Sequence, residues 1–431
     1  MKKSIDQSGL LRHSVFLFLT TQVANVSNLL YQAVTGRSLT TEEYGVLAAM
    51  MNLLLITATP MEALRTAMAH FVARTMKAGN PGEIRWLVGI WSRRLLLVAA
   101  VVVAAGFLFS GPVADFFQLT NTAPFEITCV LVACTLFLPL MTGTFQGAEK
   151  FIWVSLSLHV WTILRLGIVY LFMLLHPSAI MGLAAHGLAL AMGLLISVEG
   201  LRRLTRGYES APPAQGMGSY FMQTLYLLGA FAILMNADIL LVKHFFHPED
   251  AGLFARAATI GRSVIFLPMP IALVMFPKVI SRGAVDGSGR GTLLKALLLV
   301  VFLVGGAVGA VYLFPWLPLW LLYGDRHPTA DMIRLLITLV TAMAPMGFTY
   351  LLINYEMAQR RFRATRLLAG CAVAYMLGVF FWHETLMQIV YVMGTVTMTA
   401  FLGLLVMILL ENRRPMAPEV DDAEVSVESP G

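Results

Sequence analysis

The chain has 431 residues, of which 58% are hydrophobic and only 13% are charged, and its mean hydropathy is +0.77. Soluble domains carry roughly 25% charged residues, so this composition excludes an ordinary soluble protein and predicts that the bilayer is its main solvent. The net charge of +6 is typical of loops that flank a membrane, and we expect no nucleic-acid partner.

Twelve apolar runs are long enough to cross a hydrocarbon core, which takes about 20 residues. The first follows a basic N-terminus without a clear cleavage site, so we interpret it as an uncleaved span. The two shortest connections, between spans five and six and between spans eleven and twelve, predict tight helical hairpins. The predicted spans are 10–35, 45–73, 86–110, 125–146, 152–175, 178–201, 219–245, 252–280, 292–322, 329–357, 365–383 and 386–410.

Lysine and arginine are distributed unevenly between the two sets of predicted loops. They are concentrated in the loops on the side of the N-terminus, whereas the opposite loops hold only Arg37, Lys243 and Arg326. Because basic loops stay in the cytoplasm, we predict a multi-pass protein with both termini cytoplasmic. The tail, residues 412–431, is acidic and proline-punctuated, and it is predicted to be disordered.

One pattern occurs twice. "TTEEYGVLAAM" at 40–50 and "HPEDAGLFARA" at 247–257 are 207 positions apart, which corresponds to six spans. Six is an even number, so the two halves enter the membrane in the same direction, and a substrate site is expected at their interface. The acidic residues are predicted to begin a helix, where the helix dipole favours negative charge. Gly45 and Gly252 are predicted to permit a tight turn into that helix.

The predicted fold is therefore an all-α integral membrane protein with about 12 transmembrane helices, arranged as two six-helix lobes related by a parallel pseudo-repeat. We expect an N-terminal lobe over residues 1–207 and a cytoplasmic linker over 208–218. A C-terminal lobe should follow over 219–411, with the tail over 412–431. Prolines within the spans, Pro60, Pro139, Pro268, Pro270 and Pro345, are expected to kink their helices.

Charged residues inside the spans are the candidate substrate-binding residues, because charge within a membrane is costly and usually functional. They either line a wet cavity that grips phosphate or form ion pairs between helices. The cavity is favoured for Arg65 and Arg262, the ion pair for Asp238, and both stay open for Arg165 and Arg256. Glu62 is three residues before Arg65 on one helical face and could pair with it.

Other chemistry has little support in the sequence. The three cysteines lie in apolar runs, and the histidines inside the spans show no metal-ligand spacing. We therefore expect no metal and no cofactor. Neither G-x-S-x-G nor H-E-x-x-H occurs, and the predicted outer loops are short, so we expect no enzyme activity.

Several segments together resemble a known family. "ADILLVKHFFHPEDAGLFARA" at 237–257, "IALVMFPKVISR" at 271–282 and "MEALRTAMAHFVAR" at 61–74 are similar to segments of Wzx-type oligosaccharide flippases. These belong to the multidrug/oligosaccharidyl-lipid/polysaccharide (MOP) superfamily. One departure is Phe254, where the family often has tyrosine.

The resemblance implies an inner-membrane transporter that flips a polyprenyl-pyrophosphate-linked oligosaccharide to the outer leaflet by alternating access, for surface polysaccharide synthesis. It also implies a proton or sodium ion as a coupling ion, although few acidic residues lie deep in the spans and coupling stays open. The alternatives are a drug or cation antiporter of the same superfamily and a membrane-embedded glycan polymerase or acyltransferase. Arginine outnumbers acidic residues among the deep charges, which favours an anionic substrate over a cationic drug.

Overall fold

A computed structural model describes residues 7–212, 218–268, 271–272, 275, 290–359 and 361–410, and all regular structure within these ranges is helical. Ten helical segments among the described residues are long and apolar enough to cross a membrane, and two of these, Ala123–Gly147 and Phe151–Leu175, combine consecutive shorter helices. The helices are α1 Gln7–Ser38, α2 Thr41–Ala78, α3 Gly82–Leu108, α4 Ser110–Phe116, α5 Ala123–Thr135, α6 Phe137–Gly147, α7 Phe151–Ser155, α8 Trp161–Leu175, α9 Ala179–Thr205, α10 Gly218–Phe245, α11 Pro248–Phe266, α12 Arg290–Leu313, α13 Trp316–Tyr323, α14 Ala330–Ala358, α15 Ala364–Phe381 and α16 Leu386–Leu410.

The first predicted span corresponds to α1. The eighth begins with α11, and only part of it lies within the described residues. The fold is thus an integral membrane bundle of two lobes. For reference, we call α1–α9 the N-terminal lobe and α10–α16 the C-terminal lobe, following the boundaries predicted from the sequence. The kink expected at Pro270, and the tail over 412–431, lie outside the described residues. The helix that begins the eighth span ends at Phe266, two residues before Pro268, because proline has no N–H to continue the helical hydrogen bonds.

Three predicted spans are less regular than their hydropathy indicates. Span four is two helices that meet at Leu136. Span five contains a π-helical turn, Leu156–Val160, between α7 and α8. Span nine was predicted to run to residue 322, but α12 ends at Leu313 and the short helix α13 follows. Pro315 explains this break, because proline lacks the N–H that would continue the helix.

Helix α2 is the centre of the bundle. It packs most extensively against α10 of the other lobe and against α6 of its own lobe, and it also crosses α11. Contact with α6 is close because Gly143 and Gly147 face α2. A Cβ at these positions would lie 2.4 Å from the carbonyl oxygen of Arg65 and 2.5 Å from that of Ala69. Glycines four residues apart bring membrane helices together in this way.

The outer surface of the bundle is apolar. Leu97 and Leu108 of α3 and Phe302 and Leu313 of α12 are among the many large hydrophobic side chains that are mostly exposed. Such a surface is unfavourable in water but matches the acyl chains of a bilayer. Helices α3 and α12 occupy equivalent places in the two halves of the repeat, so each lobe presents the same kind of face to lipid.

The two lobes make reciprocal contacts near the repeated turns. Arg37, at the end of α1, donates hydrogen bonds to the carbonyl oxygens of Trp320 and Leu321 in α13. His244, at the end of α10, contacts the carbonyl oxygen of Phe116 in α4, with 2.6 Å between Nδ1 and O. His244 is the residue 207 positions after Arg37. Each lobe therefore reaches over the short helix of the other, as a two-fold relation between the halves requires.

Candidate functional site

The repeated turns meet each other at one end of the bundle. Thr40 caps α2, with its hydroxyl accepting a hydrogen bond from the Glu43 amide. Acidic residues occupy the first turns of both α2 and α11, which confirms the predicted helix starts. The lobes cross directly beside these turns. We call Tyr44, Gly45, Gly252, Thr259 and Tyr323 the outer crossing, after the side on which the orientation predicted from the sequence would place it.

The predicted role of Gly45 and Gly252 is wrong. Both glycines lie within helices, and neither is among the residues with positive φ, so neither makes a turn. A Cβ on Gly45 would lie 3.0 Å from the Cα of Gly252, and a Cβ on Gly252 would lie 2.0 Å from the carbonyl oxygen of Thr41. The glycines are needed because the two helix backbones touch here.

Tyr44 is the polar hub of the outer crossing. Its ring lies edge-on to that of Tyr323 at 5.3 Å, and it is almost fully buried. Its hydroxyl lies 3.0 Å from Gln32 Oε1, 3.0 Å from the Thr259 hydroxyl and 3.1 Å from the Tyr323 hydroxyl. One side chain thus connects both lobes, and the crossing closes this end of the bundle.

We expect the Tyr44→Phe variant to destabilise the folded protein by about 1–3 kcal/mol, because Gln32 would lose a donor and the Thr259 and Tyr323 hydroxyls would each lose one of their partners. Thermal unfolding of the purified protein in detergent measures the effect. Tyr312→Phe is the matched control, since the Tyr312 hydroxyl makes an exposed hydrogen bond to Thr341 within one lobe. Equal melting temperatures for the two variants would contradict the role of Tyr44.

A second polar cluster lies far from this closed end. Arg65 is about 36 Å along α2 from Thr41, at 1.5 Å per residue, which places it in the half of the bundle predicted to be cytoplasmic. It forms an ion pair with Glu62, as the helical spacing predicts, and its Nη1 donates to Gln146 Oε1 at 2.8 Å. The Arg65 and Glu62 side chains are 28% and 44% exposed.

These exposed charges are unlike the surface that faces lipid. Charged groups on a membrane-crossing helix face water or a polar ligand rather than acyl chains. Across from them lies Tyr350 of α14, whose hydroxyl is within electrostatic range of both charges. We call Glu62, Arg65, Gln146 and Tyr350 the α2 polar cluster. The cluster contains one positive charge, on Arg65, and one negative charge, on Glu62. Gln146 and Tyr350 add neutral hydrogen-bonding groups.

Gln146 and Tyr350 were not predicted from the sequence as site residues. The G-x-x-x-G spacing of Gly143 and Gly147 could have placed α6 against α2, because small residues mark close helix contacts. Gln146 is next to Gly147 and on the same contact. Nothing comparable marks Tyr350, which is one of several tyrosines within the predicted spans.

Arg262 and Asp238 lie elsewhere, inside the C-terminal lobe. They form a hydrogen-bonded ion pair between α11 and α10, and Arg262 also donates to the carbonyl oxygen of Met235. Arg262 is 6% exposed and Asp238 is fully buried. For Arg262 the sequence favoured an open cavity, but the structure places it in the alternative arrangement, an ion pair between helices.

The other two predicted arginines, Arg256 and Arg165, also lie outside the α2 polar cluster. Arg256 lies over the ring of Tyr323, with its Cζ 5.3 Å from the centroid, and thus belongs to the outer crossing. Arg165 is buried inside the N-terminal lobe, beside His186 and Asn28. The six predicted residues therefore occupy four places, and only Glu62 and Arg65 are charged residues of the α2 polar cluster. Within the described residues, no group of histidines, cysteines and acids could hold a metal ion.

Comparison with known proteins shows what kind of fold this is. No protein-family model and no curated protein matches the chain. Several solved structures do match the chain. An inward-facing multidrug resistance MATE family transporter of the MOP superfamily has a TM-score of 0.73 and 12% identity, with 90% of this chain and 94% of that chain covered.

Two further structures are similar. The lipid II flippase MurJ in an inward closed conformation has a TM-score of 0.70 and 10% identity, covering 92% of this chain and 87% of that chain. The MATE multidrug transporter DinF-BH has a TM-score of 0.69 and 13% identity, covering 94% of this chain and 96% of that chain. At these identities the likeness shows the fold alone: the chain has the two-lobed helical fold that these three structures share.

Proposed function

We propose that this protein is a transporter of the inner membrane that flips a polyprenyl-pyrophosphate-linked oligosaccharide from the cytoplasmic to the outer leaflet by alternating access. The observation that carries the proposal is the α2 polar cluster, in which Arg65 remains partly exposed between the lobes. A guanidinium with N–H groups left over can bind phosphate oxygens in pairs. Gln146 and Tyr350 supply the neutral hydrogen-bonding groups that sugar hydroxyls require.

The arrangement of the lobes supports alternating access. The outer crossing seals one end of the bundle, whereas the α2 polar cluster lies in the other half and is exposed. A substrate headgroup would therefore meet Arg65 from the predicted cytoplasmic side. The two bodies that move are the lobes, with the boundaries 1–207 and 219–411 proposed from the sequence and the linker 208–218 between them.

One observation favours a second function, a drug or cation antiporter. Glu62 is more exposed than Arg65, and an accessible carboxylate attracts a cation. Two of the similar structures are multidrug transporters, whereas MurJ is a lipid II flippase. We favour the flippase because Arg65 already neutralises the charge of Glu62. The α2 polar cluster therefore has hydrogen-bonding groups but no net negative charge that would attract a cation. The coupling ion, a proton or sodium, stays open.

We expect the Arg65→Gln variant to lower the rate of lipid-linked oligosaccharide flipping by about tenfold or more, because a hydrogen bond to a charged group contributes about 1.5–3 kcal/mol. The assay is translocation of the lipid-linked substrate in proteoliposomes that contain the purified protein. Arg203→Gln is the matched control, because Arg203 also pairs with an acid one helical turn away, Glu199, but on an exposed surface.

The same proteoliposomes distinguish the two functions. Transport of a cationic dye by the wild type, with loss on Glu62→Gln and no flipping of the lipid-linked substrate, would replace the flippase by the antiporter. Flipping at the wild-type rate in Arg65→Gln would remove the α2 polar cluster from the substrate pathway.

A further inference from the structure

A positive charge without a counter-charge lies inside the N-terminal lobe. Arg165 of α8 is 5% exposed. Its Nη2 donates to Asn28 Oδ1 at 2.6 Å, its Nη1 lies 3.0 Å from His186 Nδ1, and its Cζ lies 3.9 Å above the centre of the Tyr31 ring. All three partners are neutral or aromatic, and no described carboxylate pairs with Arg165. Buried charges are normally paired, as Arg262 is.

The same cluster contains N–H groups without acceptors. A guanidinium can only donate, so His186 Nδ1 accepts from Arg165, and the neutral imidazole then carries its proton on Nε2. His186 Nε2, Arg165 Nε and Trp161 Nε1 are all buried and make no hydrogen bond to any described group. Leaving such donors unpaired costs about 1–3 kcal/mol each. The three donors have no hydrogen-bond acceptor and Arg165 has no counter-charge among the described residues. An anion would supply both.

The three side chains are neighbours. Trp161 and Arg165 are one turn apart on α8, with 5.6 Å between the Trp161 ring centre and the Arg165 Cζ. The Trp161 and His186 ring centres are 5.2 Å apart. The π-helical turn Leu156–Val160 ends directly before Trp161, the first residue of α8. Such turns rotate the residues that follow and are frequent at functional sites.

We propose that Arg165, Trp161 and His186 form a binding site for a small inorganic anion of the halide class, within the N-terminal lobe. The Tyr31 and Trp161 ring centres lie 3.9 and 5.6 Å from the Arg165 Cζ, and this crowding favours a single-atom anion over a tetrahedral oxyanion. The site is separate from the α2 polar cluster, because the residues around it come from α1, α8 and α9, and Arg165 and His186 are buried. A bound anion neutralises the buried charge of Arg165 and connects these helices, so it stabilises the folded protein.

Chloride-dependent thermal unfolding of the purified full chain in detergent tests this site. Sodium chloride is exchanged for sodium gluconate at constant ionic strength, and we expect a saturable rise in the melting temperature with chloride. Trp161→Phe keeps an aromatic ring but removes one donor, and it should raise the half-saturating chloride concentration by about tenfold or more, since a hydrogen bond to a charged group is involved. Arg165→Gln should abolish the saturable rise.

The control is Arg203→Gln, because Arg203 also lies over a tryptophan ring, that of Trp153, but has a carboxylate partner. It should keep the wild-type response. If Arg165→Gln does not fold, Trp161→Phe still decides the question. Equal melting in chloride and gluconate, an unchanged chloride response in Trp161→Phe, or an equally large rise with sulfate, which acts by general exclusion, would each overturn the anion site.

Discussion

Gly252→Leu should open the outer crossing and abolish transport. Position 252 has no room for a side chain, because even a Cβ would lie 2.0 Å from the carbonyl oxygen of Thr41. A clash of side chain against backbone cannot be relieved by a change of rotamer, so the closed arrangement of the lobes must give way. Overpacking costs about 1–3 kcal/mol or more, which shifts a two-state equilibrium by about 5–150-fold.

Thiol labelling from the outer side measures this opening without reference to any substrate. Thr259→Cys places the reporter in the crossing, and we expect it to be labelled much faster when Gly252→Leu is also present. Gly305→Leu is the matched control, because a Cβ at Gly305 would meet nothing within 4 Å. Slow labelling in both double variants, with transport intact, would show that the crossing does not govern access.

Arg262→Leu should destabilise the protein by about 3–5 kcal/mol, because it leaves Asp238 buried without its counter-charge. Asp238 is fully buried, and its second carboxylate oxygen already lacks a hydrogen-bond partner among the described residues. The expected result is a large fall in melting temperature and in the yield of folded protein. Thermal unfolding in detergent gives the measurement.

The double variant Asp238→Leu with Arg262→Leu separates pairing from packing. Replacing a whole buried ion pair by apolar residues is often neutral or stabilising, so the double variant should recover most of the loss. Arg203→Leu, in an exposed pair, should change stability little. A double variant as unstable as Arg262→Leu alone would mean that the pair is not what holds α10 and α11 together.

Much of the fold follows from the sequence because hydropathy and charge report directly on the bilayer. Span positions, the number of helices in each half and the pairing of Glu62 with Arg65 all depend on properties of single helices. Pro315 is also a local signal, because a proline can end a helix even where the apolar run continues, and it accounts for the end of α12 before the predicted end of the ninth span.

The arrangement of charges between helices could not be predicted in the same way. Whether Arg262 meets Asp238 or a cavity depends on how α10 and α11 are rotated about their axes, and a periodic apolar sequence leaves that rotation undetermined. The same holds for Gly252, where the sequence shows a glycine but not the opposing backbone of Thr41. For Arg165 the sequence leaves a cavity and an ion pair open, whereas its actual neighbours are neutral. These neighbours belong to two other helices, so the sequence around Arg165 could not identify them.

Gly45 and Gly252 are equivalent positions of one repeated pattern, and residues that meet their own equivalents lie on a rotation axis. A single half of this chain would therefore carry a self-complementary face, and two such halves could associate as a homodimer. Joining them makes that association intramolecular and frees each half to diverge. The residues equivalent to Arg165 and Arg262 are Ala372 and Leu55, so the fused chain holds different charges in its two lobes, which identical subunits could not do.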